Sequence, residues 1–198
     1  MDDDEVSLSN LQRQIAHGTP DIGRAKVNSA KDRAMALNPE ITFVPHRTRL
    51  NSDNVMDLLT DYDIIADGTD NFDTRFLLND ACFLAGKTLV SAALLRFDGQ
   101  LSTYKAYLGP PHPCYRCIFP EPPPPDAIPS CAQGGVLGAM AGVMGAMQAT
   151  EVLKEILGIG ESMSGRFLIH DGLAGNFRTV KVLSLIHISE PTRRYAIS

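Results

Sequence analysis

Asp67 and Asp70 follow a short apolar run, YDIIA (62–66), in the order Asp67-Gly68-Thr69-Asp70. Open α/β sheets bind ligands just outside the carboxyl ends of their strands. A carboxylate there suits Mg²⁺, which bridges phosphate oxygens. The same residues also suit a turn and the N-cap of a helix opening near Asn71. Arg13, Arg24 and Lys26 gather cations in an otherwise acidic chain. Such a group fits either polyphosphate neutralisation or an ordinary solvated surface. Cys114-Tyr115-Arg116-Cys117 has structural-zinc spacing, yet one pair supplies two of the four thiolates a closed site needs. Cys131 lies just before a long apolar segment. A helix N-terminus there would favour its thiolate, and a small buried thiol is the other reading. Asp2, Asp3 and Asp4 read either as a solvated acidic terminus or as ribose-binding carboxylates at a strand end. Cys82, within ACFLA, reads as core.

The elements that would hold these residues alternate. Helical spacing runs over 21–37 and ends at Asn38-Pro39. Ile41 to Val44 reads as a short strand, and a helix covers 55–59. The strand at 62–66 is followed by a helix over 71–85, a strand over 88–93 and another over 101–107. Strand–helix alternation predicts parallel βαβ units in a sheet covered on both faces. A proline-rich excursion fills 109–129. From Gly135 to Leu157 a long apolar helix carries Gly138, Gly142 and Ala146 four apart, so one face is nearly bare. Gln148 and Glu151 cut it short of the ~20 apolar residues a membrane span needs, which predicts a buried helix packed closely on the sheet. Two final strands cover 167–170 and 176–182.

With 198 residues the chain has the size of one domain. Its 44% hydrophobic and 21% charged content excludes a disordered protein. A net charge of -5 argues against nucleic acid and anionic membranes as partners. Four cysteines are too few for a secreted disulfide scaffold, and the start MDDDE is no signal peptide, so the expected location is cytoplasmic.

Six runs, in this order, resemble one family: SLSNLQRQ (7–14), GRAKV (23–27), DGTDN (67–71), LLRFDGQ (94–100), PCYRC (113–117) and SCAQGGVLG (130–138). The family is the ThiF/MoeB/HesA group of adenylating enzymes for ubiquitin-like sulfur carriers, most like its molybdopterin-synthase adenylyltransferases. The resemblance covers about 2–182. It implies a Rossmann-like, mostly parallel α/β sheet flanked by helices, a homodimer, and ATP-dependent adenylation of a carrier's C-terminal Gly-Gly carboxylate, as in molybdopterin or thiamine biosynthesis. By resemblance Asp2 is the ribose carboxylate. Ser9, Asn10, Leu11, Gln12 and Arg13 form the phosphate-binding stretch, with Lys26 as a second phosphate contact. Asp70 holds Mg²⁺ and Asn71 lies beside it in the nucleotide pocket. Cys114 and Cys117 are half of a four-thiolate zinc site, and Cys131 is the thioester or sulfur-relay nucleophile of some members.

The departures are as specific. The family's first strand, glycine-rich loop and helix would precede Met1, so the chain reads as an N-terminally truncated adenylation domain (1–182). LSLIHISEPTRRYAIS (183–198) stands where the second C-x-x-C belongs and reads as a foreign, adapter-like tail. The alternative expectation is a catalytically incompetent piece that only binds a carrier or partner. A nicotinamide or flavin oxidoreductase on the same sheet fits the Arg13, Lys26 and Asp70 set less well.

Overall fold

The computed structural model describes residues 1–124 and 135–185. The chain divides into two compact units, 1–51 and 52–198.

In the first unit, residues 4–6 run antiparallel to the segment before the first helix. Glu5 bridges Ala25, Val6 N–H donates to Arg24 O at 2.9 Å, and Lys26 N–H donates to Asp4 O at 3.0 Å. Val6, Ala25 and Val27 are the buried apolar residues. Helix α1 spans Lys26–Leu37. It starts later than its spacing predicts, for two local reasons. Thr19–Asp21 forms a 3₁₀ turn with Pro20 inside it, and Gly23 adopts a left-handed φ of 83° that a continuing helix cannot accommodate. The helix ends as expected: Asn38, which precedes Pro39, is extended. The strand expected at 41–44 does not form. That segment is not in a ladder, Ile41 and Val44 are exposed, and strand backbone without a paired neighbour has no cooperative advantage.

The second unit is a five-stranded sheet in the order β1 to β5, with β1 Ile64–Asp67, β2 Thr88–Leu95, β3 Asp98–Tyr104, β4 Arg166–Asp171 and β5 Asn176–Lys181. Its helices are α2 Val55–Leu59, α3 Phe72–Ala85 and α4 Gly138–Leu157. The α/β class is as expected, but the prediction of mostly parallel pairing is corrected. β1–β2 is parallel, whereas β2–β3, β3–β4 and β4–β5 are antiparallel. The cause is connection length. α3 links β1 to β2, which a parallel crossover requires, while Arg96-Phe97 alone joins β2 to β3 and four residues join β4 to β5. Arg96 takes a φ of 55°, as a two-residue hairpin demands of its turn.

α4 packs on the sheet face bearing Val90, Ala92, Leu101 and Leu168, with Met144 at the centre of that core. The small-residue stripe is not the packing face: Gly142 and Ala146 are exposed, and Met140, Met144 and Glu151 are buried. Long thioether side chains cover more apolar sheet than bare backbone does, which orients the helix. Gly172, between β4 and β5, accommodates this helix closely. A Cβ there would meet the Met140 sulfur and lie 2.9 Å from Phe97 O, whose carbonyl accepts the Gly172 N–H at 2.8 Å. Gly172→Ala is therefore expected to cost about 1–3 kcal/mol. The check is a lowered urea midpoint at unchanged m-value.

Among the described residues, no helix is long and apolar enough to cross a membrane.

Candidate functional site

The second unit fixes one surface turn unusually firmly. Asp67 ends β1 with 1% exposure. Its carboxylate accepts from Thr69 N–H at 2.9 Å, Thr69 Oγ1 at 2.8 Å and, from β2, Ser91 Oγ at 2.8 Å. Gln148 on α4 donates through Nε2 to Asp67 O at 2.7 Å and Val90 O at 3.0 Å. Arg75 on α3 donates through Nε and Nη2 to Thr69 O, at 3.1 and 2.5 Å. Asn71 caps α3, its Oδ1 accepting Thr74 N–H at 2.8 Å. β1, β2, α3 and α4 thus all hold the turn 67–70, and it presents the exposed Asp70 carboxylate at the carboxyl end of a parallel strand. Pre-set geometry around an exposed anion is what a cation–phosphate site requires. A lone hard carboxylate on a rigid turn fits Mg²⁺, which takes one or two protein carboxylates and fills its other positions with water and phosphate.

The same view separates the two residues that the DGTD run left equivalent. Asp67 is structural and Asp70 faces solvent. Asn71 uses its Oδ1 as a cap, so its side-chain carbonyl already has a partner.

In the first unit the cations and acids are brought together. Lys26 Nζ pairs with Asp4 at 2.6 Å and lies 3.8 Å from Asp2, whose Oδ1 accepts Asp4 N–H at 2.9 Å. Asp2, Asp3 and Asp4 are the one group of three potential metal-ligating side chains among the described residues. Ser7 to Gln14 folds as successive tight turns. Asn10 O accepts the N–H of Arg13 and of Gln14, and Arg13 Nη1 donates to Ser9 O at 3.1 Å. Ser9 Oγ meets Ser7 Oγ, and Leu11 and Gln12 continue the turn. Gln14 Oε1 is, among the described residues, the one buried side-chain N or O atom without a partner. It directly follows the stretch Ser9 to Arg13 matched to phosphate binding, and its residue type alone gave no signal.

Ser29, His17 and Asp21 are also neighbours in this unit, and they could be mistaken for a nucleophilic triad. His17 Nδ1 meets Ser29 Oγ at 2.8 Å, and Ser29 also bonds Asp21. The chain of contacts therefore runs acid–serine–histidine, the wrong order for a base to activate the hydroxyl. Ser29 is moreover buried. The network anchors the turn before α1. The Gly18 N–H, with Arg24 and Ser29, holds the Asp21 carboxyl below its ordinary value against some burial.

Cys114 and Cys117 flank a single 3₁₀ turn, Tyr115–Cys117, with their sulfurs 3.6 Å apart. A tetrahedral zinc site with ~2.3 Å Zn–S bonds has sulfur–sulfur edges of about 3.8 Å, so the pair fits two vertices. No further His, Cys, Asp or Glu among the described residues joins them as a group. The hydrogen bond to Cys117, then burial, push the Cys114 thiol far above its ordinary range. The knuckle is tied to α3: Asn79 Oδ1 accepts Tyr115 N–H at 2.7 Å, and Arg116 makes a bidentate pair with Asp80 at 2.9 and 2.7 Å. Leu185 N–H lies 3.2 Å from Cys117 Sγ, so the chain after β5 returns to this knuckle. Cys131 lies outside the described residues.

Cys82 is core, as expected. Burial and then the Asp67 charge push its thiol up to about 12. It is expected to resist iodoacetamide at pH 8 in the native state and to react on unfolding. Because its folded pKa is raised, its contribution to stability is present below the ordinary thiol range and fades as pH climbs from about 9 toward 12.

A family model described as the ThiF family matches residues 1–189. The chain belongs to the ThiF family. This ThiF-family chain is 50% identical over 182 residues to the adenylyltransferase and sulfurtransferase MOCS3 of Culex quinquefasciatus, covering 92% of the chain and 41% of that relative. It is 45% identical over 181 residues to the sulfur carrier protein adenylyltransferase of Thermus thermophilus, covering 90% and 67%. The chain thus spans about two-fifths of the MOCS3 relatives it matches. In fold it is similar to the E. coli MccB structure described with ATP, with a TM-score of 0.79 at 17% identity, covering 93% of this chain and 56% of that one. The structure described as SeMet PaaA matches with a TM-score of 0.69 at 18% identity, covering 92% and 63%. These neighbours bear out the Rossmann-like α/β class of the ThiF-family fold.

Proposed function

We propose that this chain is the adenylating part of an enzyme that activates the C-terminal Gly-Gly carboxylate of a ubiquitin-like sulfur carrier with ATP. The carrying observation is the turn 67–70, locked from four elements around an exposed Asp70 in a chain of the ThiF family. The names of its MOCS3 and Thermus relatives support the same chemistry.

In this reading the carrier carboxylate attacks the α-phosphorus of ATP. The new bond is carboxyl oxygen to phosphorus, the bond to the bridging oxygen breaks, and pyrophosphate leaves with its electron pair. Both reactants are anions, so alignment and charge neutralisation dominate the barrier. Lys26 and Arg13 supply positive charge to the phosphates, and the stretch Ser9 to Gln12 supplies backbone around them. Asp2 takes the ribose hydroxyls. Asp70 is the carboxylate for Mg²⁺, which when bound neutralises phosphate charge, and Asn71 borders the nucleotide. Cys114 and Cys117 hold half of a structural Zn²⁺ site, and Cys131 is the residue for any thioester or sulfur relay. The working form is a cytoplasmic homodimer.

The test is ATP–[³²P]pyrophosphate exchange by the full-length protein. Exchange that requires a carrier ending in Gly-Gly supports the reading. Carrier binding without exchange would replace it with the binding-module account.

A further inference from the structure

The Gln148 amide on α4 is used on one side only. Its Nε2 carries two hydrogens, and both are spent. One goes to Asp67 O at 2.7 Å, at the end of β1, and the other to Val90 O at 3.0 Å, in β2. Two carbonyl acceptors fix which way the amide is turned, because the flipped form would set three oxygens against one another. Oε1 is therefore held in place as well, and among the described residues no group donates to it. It lies beside the turn that presents Asp70: a Cβ built on Gly68 would stand 4.0 Å from it. Gly68 is exposed and carries no such atom, so a main chain can come close there. On the helix itself Gly145, one turn before Gln148, is also exposed, and nothing lies within 4 Å of where its Cβ would be.

We propose that Gln148 Oε1 accepts the last peptide N–H of the carrier's Gly-Gly tail and so orients the carboxylate for attack. The inference deepens the adenylation reading given above and rests on it. An amide oxygen repels the phosphate oxygens of ATP, so its ligand is a donor. A Gly-Gly tail has no side chains, and its main-chain N–H groups are the donors it can offer. The last of them is separated from the carboxylate by a single Cα, so holding it leaves few rotors free and sets the direction of attack. Gln148 suits this task because its own geometry is already determined: both donors are bonded to strand carbonyls, and the acceptor needs no reorganisation when the tail arrives. The open space left by Gly68 and Gly145 admits a flat backbone that brings no side chain with it.

The test is pyrophosphate exchange by the full-length protein with two carriers. One ends in Gly-Gly. The other ends in glycine joined through an ester to glycolate, which keeps the carboxylate and removes the last N–H. With the wild type, the ester carrier is expected to show a carrier KM raised on the order of tenfold, with the KM for ATP unchanged. Gln148→Met is expected to raise the KM for the Gly-Gly carrier by a similar factor and to erase the difference between the two carriers, as a direct pair does in a double-mutant cycle. Equal KM values for the two carriers in the wild type would overturn the inference. An ester penalty that persists in Gln148→Met would also overturn it and leave Gln148 as a tie between helix and strands alone. Should Gln148→Met fail to fold for want of its donors, Gln148→Lys, which keeps donors and lacks the acceptor, takes its place in the cycle. Absence of exchange with the Gly-Gly carrier in the wild type overturns the adenylation reading itself, and the inference with it.

Discussion

Asp70→Asn is expected to reduce carrier-dependent pyrophosphate exchange on the order of 10²–10³-fold, while leaving the folded state nearly unchanged. The substitution is nearly isosteric and the site is exposed, so stability should move by less than about 0.5 kcal/mol. What changes is charge. A neutral amide oxygen is a much poorer ligand for a hard divalent cation than a carboxylate. The measurement is a paired one, exchange rate and urea midpoint on the same preparation. Wild-type exchange in the variant would remove Asp70 from the mechanism. A large fall in the midpoint would instead reassign Asp70 to holding the turn.

Asp67 is expected to behave in the opposite way. Asp67→Ala removes an acceptor that holds Thr69 N–H, Thr69 Oγ1 and Ser91 Oγ in a site that is 1% exposed. Leaving donors without partners in such a site costs about 3 kcal/mol. Asp67→Asn keeps one acceptor oxygen, and the Ser91 hydroxyl can rotate to accept from the new amide, so its cost should be about 1 kcal/mol. Exchange should follow the same order, because the turn aims Asp70. Equal urea midpoints for the Ala and Asn variants would show that the bonds to Asp67 contribute little.

The contrast between these neighbours marks how far sequence reading reached. DGTDN after a short strand marked the turn that ends β1, and Asn71 followed by helical spacing gave α3 to within a residue. It did not give the division of labour. Asp67 and Asp70 are the same residue type three apart, and their roles separate only when Ser91, from a strand more than twenty positions later, closes on one of them. Gln148 was legible merely as a polar break in an apolar helix, since its partner Asp67 O lies 81 positions away. Arg75 was passed over, although it sits one helical turn after Asn71. The antiparallel half of the sheet was missed because its signal is a two-residue turn whose left-handed residue is an arginine, not a glycine or asparagine. The five residues before Lys26 were over-read as helix because periodicity does not register Gly23.

The return of the chain to Cys117 has a consequence in polymer terms. Cys117 and Leu185 are 68 positions apart, and the segment between them carries α4, β4 and β5. Any covalent or coordinate link made at that meeting point would close a ring through α4, β4 and β5. By loop-closure entropy, a ring of this length deprives the unfolded chain of freedom worth about 4 kcal/mol. A fastening at the knuckle would therefore restrain far more chain than a local metal clip spanning its own four residues could.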